Sequence, residues 1–73
     1  MVVVTYKIGK CLLSVHLQKK RMSQQELADR VGKTKQTISR YVKNQSIMSY
    51  EAAVNIAAEL NCEMEDLYEI IKV

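Results

Sequence analysis

Two helix signals eleven residues apart leave this 73-residue chain few ways to fold. Ser23-Gln24-Gln25-Glu26 has the spacing of a capping box. There the serine oxygen accepts a first-turn N–H, and Glu26 reaches back to the Ser23 N–H. Met22 and Leu27 flank the box at the spacing of a hydrophobic staple. Gly32 supplies the left-handed residue that stops a helix, and Thr34 follows as the cap of another. The spacing predicts a helix over Gln24–Val31, a turn of about three residues and a helix from about Lys35 to Asn44. Two short helices joined this way form a helix-turn-helix over about residues 24–43. Ala28 is small where the two helices must cross, and Ile38 anchors the second helix in the core. Leu27, Val31 and Tyr41 complete the apolar contact.

The remaining residues read as support. Lys10 to Lys20 are good helix formers, with Leu13 and Leu17 four apart and Leu12 and Val15 three apart. Ser49 caps a fourth helix that ends at Leu60, with Ala53, Ile56, Ala57 and Leu60 on one stripe and Asn61 as the left-handed stop. A short fifth helix is expected around Glu63 to Tyr68, its acidic residues favoured by the helix dipole. Val2 to Tyr6 and Glu69 to Val73 are rich in β-branched residues, so the two ends are candidates for pairing as short strands. The fold class is therefore all-α, five helices, with a possible strand at each end, in one domain over residues 1–73. A chain this short excludes a two-domain enzyme or a Rossmann sheet.

Charge is distributed unevenly. Residues 1–45 hold ten basic and two acidic side chains, a net +8, and residues 46–73 hold one basic and six acidic, a net −5. One half suits a polyanion and the other does not. On a helical wheel of about 100° per residue, Lys35, Gln36, Ser39, Arg40 and Lys43 share the outer face of the third helix. Ile38, Tyr41 and Val42 share the inner one. Arg and Lys pair with guanine, Gln with adenine and Ser with either, on a helix that fits a major groove.

Residues 22–43, MSQQELADRVGKTKQTISRYVK, resemble the helix-turn-helix of the phage lambda repressor and Cro proteins, the Xre family. The specific part is MSQQELADRVG and TISRY, and IAAELNCEMEDL resembles the family's later helices. The resemblance spans about residues 10–68 and implies a five-helix lambda-repressor-like domain that binds double-stranded DNA. It implies a sequence-specific transcriptional regulator of bacterial or phage type, a repressor, acting as a homodimer on a palindromic operator. By the same resemblance Lys35, Gln36, Ser39 and Arg40 read bases, while Gln24, Lys33, Thr34, Lys43 and Asn44 hold phosphates. The sequence departs from the family's pattern in places. Lys33 stands where the turn is usually apolar, and Leu17 and Val42 stand where many members have a buried Arg–Glu pair. Asn44 replaces a common Gly and Met48 a common Pro.

Other chemistry is not expected. His16 is the only histidine and has no triad-like neighbours, so it is read as structural. Cys11 and Cys62 form no CxxC or Cys/His cluster and are read as small hydrophobes. No catalytic residue, metal, cofactor, small-molecule substrate or membrane partner is expected, and a reduced, cytoplasmic protein is. A protein-interaction module, such as an antitoxin or a regulator's binding partner, is the alternative function, and RNA binding is a weaker one. Leu12, Val15, Ile70, Ile71 and Val73 are candidates for the core or for an apolar patch facing a partner subunit.

Overall fold

The N-terminal strand and the C-terminal strand of the chain meet. In a computed structural model describing residues 5–73, β1 (Tyr6–Cys11) pairs antiparallel with β2 (Tyr68–Lys72). Between them come α1 (Leu13–Lys19), α2 (Gln24–Val31), α3 (Lys35–Val42), α4 (Tyr50–Leu60) and one 3-10 turn (Met64–Leu67). The fold is therefore four α-helices with a two-stranded ribbon. Val2 to Val4, expected as extended, lie outside the described residues.

Local signals fixed most helix ends. The Ser23 Oγ accepts the Glu26 N–H at 3.0 Å, and Gly32 takes φ +70° to stop α2. The other half of the expected capping box does not form, because Glu26 turns to Arg30 Nη2 at 3.0 Å instead. Thr34 caps α3 through the Thr37 N–H at 3.2 Å, and Ser49 caps α4 through Ala52 N–H at 3.1 Å. Asn61 takes the left-handed stop at φ +53°. The helix ending at α3 is shorter than expected: it closes at Val42, and Asn44 takes φ +60°.

Two expectations fail for one reason. The first helix does not begin near Lys10, because Lys10 and Cys11 belong to β1. The fifth helix is only a 3-10 turn, because Tyr68 is drawn into β2 and leaves too few residues for an α-helical turn. Five helices are thus replaced by four. The Glu63 and Asp66 carboxylates do start that turn, Glu63 N–H donating to Asp66 Oδ2 at 3.0 Å. The tertiary contact that overrides helix propensity is visible in the backbone: Leu12 N–H donates to Leu67 O at 2.8 Å. Gly9 lies inside β1. A Cβ there would sit 2.6 Å from Ile71 Cδ1 and 3.2 Å from Glu69 Cβ.

The core forms where the helices meet. Leu13, Leu27, Ala28, Ile38, Ile56, Leu60 and Leu67 are fully or nearly fully buried. Each fully buried Leu or Ile stabilises by about 1.5–3 kcal/mol relative to exposure. Ala28 lies in this core as expected, and α2 packs against both α3 and α4. Leu17 is buried and Val42 packs against the core, so apolar side chains occupy both positions where the family often has an ion pair. Cys11 is buried as a small hydrophobe. Val15, Ile70, Ile71 and Val73 stay exposed, so of the two alternatives, core or surface, these four take the surface.

Candidate nucleic-acid interface

The α2–α3 turn presents one face of α3 to solvent. Ile38 and Tyr41 are buried on the inner side. With that side fixed by the core, Lys35, Gln36 and Arg40 are exposed, and Ser39 is half-buried beside them. Thr34 holds the first turn of this helix through its hydroxyl, so Lys35 and Gln36 project from a capped and ordered start. Lys43 is exposed at the C-terminal end of α3. At the other edge, Gln24 opens α2 directly after the Ser23 cap and is half-buried. Lys33 is half-buried in the turn.

The electrostatics favour a polyanion. Among the described residues, ion pairs form only at Arg30, with Glu26 at 3.0 Å and Glu59 at 3.6 Å. That leaves Lys33, Lys35, Arg40 and Lys43 without a carboxylate partner among the described residues. The Arg30 pairs lie half in solvent and add little stability. Their effect is to withdraw one cation and two anions from the surface tally.

The structure qualifies the reading of two expected phosphate contacts. Asn44 does sit past α3 with left-handed backbone, but its Oδ1 accepts the Cys11 N–H at 2.9 Å. Its side chain therefore braces the ribbon against the end of α3, and only its Nδ2 remains as a donor. Thr34 Oγ1 is likewise engaged, accepting from the Thr37 N–H and lying 3.0 Å from Thr37 Oγ1. The sequence reading missed these braces, and it missed the Tyr68 hydroxyl that accepts the Met48 N–H at 3.1 Å. It also missed Arg21, whose φ of +53° makes the turn between α1 and α2. Burial raises the pKa of Tyr68, which its hydrogen bond from Met48 partly offsets.

Residues outside this face have structural roles. His16 Nε2 lies 2.8 Å from the Asp66 carbonyl oxygen. A carbonyl can only accept, so the ring donates from Nε2 and ties α1 to the 3-10 turn. Both cysteines are free thiols, raised in pKa first by burial, and at Cys62 also by Asp66 and Glu63. Among the described residues there is no cluster of metal-ligating side chains, and no helix is long and apolar enough to cross a membrane.

Comparison with known proteins points to the same element. The helix-turn-helix family model matches residues 16–67. A SPbeta prophage-derived, uncharacterized HTH-type transcriptional regulator, YopS of Bacillus subtilis strain 168, is 39% identical over 67 residues, 90% of either chain. Among solved structures, "a putative DNA-binding protein from Bacteroides fragilis" superposes with TM-score 0.77 at 29% identity, covering 89% of this chain and all of that one. The transcriptional regulator VanUg superposes with TM-score 0.71 at 26% identity, covering 93% of this chain and 89% of its own.

Proposed function

Because this chain belongs to the lambda-repressor-like helix-turn-helix family and is a DNA-binding transcriptional regulator, we propose how it reads its operator. The third helix enters the major groove. Lys35, Gln36, Ser39 and Arg40 contact base edges there, and Gln24, Thr34, Lys33 and Lys43 hold the flanking phosphates. Asn44 adds a phosphate contact through its free Nδ2 while its oxygen keeps the ribbon in place. The domain spans residues 1–73 and acts without catalysis, in the cytoplasm. Two copies occupy the half-sites of a palindromic operator, about 34–36 Å apart. Bound protein represses by covering an overlapping promoter.

The observation that carries this reading is the capped α3 whose outer basic residues have no carboxylate partner among the described residues. Neutralising six to eight phosphates per dimer predicts a log–log salt slope of roughly −5 to −7. A fluorescence-anisotropy titration across salt concentrations measures it, with the operator first recovered by pulling down genomic fragments. A flat salt dependence, with a second protein co-purifying in place of DNA, would favour an interaction module and reject the proposal.

A further inference from the structure

The ribbon carries an apolar face that the domain does not cover. Tyr6 pairs with Lys72 and Ile8 with Ile70. Strand alternation therefore puts Tyr6, Ile8, Ile70 and Lys72 on one face and Lys7 and Ile71 on the other. Ile8 shows where the first face looks. It lines a groove of about 340 Å³ together with Ile47, Met48, Tyr50, Met64 and Tyr68. The rim of this groove is as bare as the ribbon: Tyr50 is 78% exposed, Ile47 70%, Tyr6 60%, Ile70 52% and Ile8 44%.

The amount of surface is unusual. Those fractions, on side chains of roughly 200 Å² each, leave on the order of 600 Å² in one patch. That is at or above the largest patch of a typical monomer, and near the ~800 Å² that each partner gives to a standard stable interface. The polar rim carries charges of opposite sign. Lys72 ends the apolar face of the ribbon and Glu65 lines the groove, and among the described residues neither is in an ion pair.

We infer that this surface docks a second copy of the chain, each ribbon face lying on the partner's Ile47–Tyr50 rim. A two-fold contact requires one patch to hold both halves of the fit. This patch does, with an apolar ribbon face that runs into a groove, a lysine on the one and a carboxylate on the other. Lys72 then faces the partner's Glu65. The inference rests on the dimeric reading given above and names the surface that makes the dimer. Ile47 follows the end of α3 by five residues, so the contact couples the two recognition helices directly.

The test is sedimentation equilibrium of the full chain up to about 100 μM, a concentration that detects weak dimers. Ile47→Glu and Tyr50→Glu alter side chains that are mostly in solvent, and circular dichroism with a urea melt verifies that each variant folds. The wild type is expected to dimerise, and each variant to raise the dissociation constant at least about tenfold. Lys72→Glu is expected to weaken the dimer, and adding Glu65→Lys to restore it. A dimer that both groove variants leave unchanged overturns the assigned surface while leaving the dimeric reading intact. A wild type that stays monomeric but still binds DNA with a salt slope overturns the inference and the dimeric reading, not the DNA-binding one. Capture of a different protein through Ile47 and Tyr50 by a monomeric chain also overturns it.

Discussion

At the residue scale, two side chains of similar apparent role separate on inspection. Arg40 is exposed on the outer face of α3, whereas Gln24 opens α2 at the edge of the interface. Arg40→Ala should cost about 1–3 kcal/mol on the preferred operator and flatten the ranking of variant operators. Gln24→Ala should weaken all sequences alike, since phosphates carry no sequence information. Anisotropy titrations on a panel of single-base operator variants distinguish the two, and equal profiles would reject the division between readers and positioners. Asn44 makes the complementary case for structure. Its φ of +60° and its bond from Cys11 N–H are separate contributions. Asn44→Gly removes only the bond, which leaves a partly buried donor unpaired at a cost of about 1–3 kcal/mol. Asn44→Ala adds about 1 kcal/mol or more of left-handed backbone strain. Urea unfolding should rank wild type above Gly above Ala; an Ala variant as stable as the Gly variant would contradict the strain argument.

At the element scale, the sequence reveals what neighbours in the chain decide and, beyond the pairing of the two ends, hides most of what distant residues decide. The caps at Ser23, Thr34 and Ser49 act three residues away, and all three were legible. So were the stops at Gly32 and Asn61 and the inward side of α3. The start of α1 and the short 3-10 turn were not, because pairing between β1 and β2 overrode local helix propensity. The exposed outer face of α3 was legible from its periodicity. The bracing role of Asn44 was hidden because the partner of its oxygen, Cys11, lies 33 residues back in the chain. The caps can be tested directly. Thr34→Ala should lower stability by about 1 kcal/mol and loosen the turn that carries Lys35 and Gln36. Operator affinity should therefore fall although Thr34 reads no base. Gly32→Ala meets nothing within 4 Å, so its cost is the positive φ alone, about 1 kcal/mol. A thermal melt showing no loss for Gly32→Ala would mean that the turn relaxes to another backbone shape.

At the scale of the whole molecule, three groups share one pH response. Cys11, Cys62 and Tyr68 each have a pKa raised by burial in the folded chain. A group that holds its proton more tightly when folded stabilises fully below its unfolded pKa and loses that contribution as pH rises through the folded value. Stability is therefore expected to be level in this respect at neutral pH. It should decline above about pH 9, where unfolded thiols and then phenols ionise. Urea midpoints between neutral and strongly alkaline pH measure this, and Cys11→Ala should flatten the first part of the decline. A midpoint that rises with alkaline pH would contradict the sign. The ribbon has a consequence for the order of assembly. Pairing Tyr6 with Lys72 closes a loop spanning nearly all the described chain, whereas the helices form from close neighbours. Long loops close slowly, and contacts between distant residues are the late ones in folding. On a ribosome, α1 to α4 emerge and can settle before β2 exists. The strand that completes the apolar face is thus synthesised after all four helices, so a nascent chain cannot present the proposed self-association surface until the helices beneath it are already made.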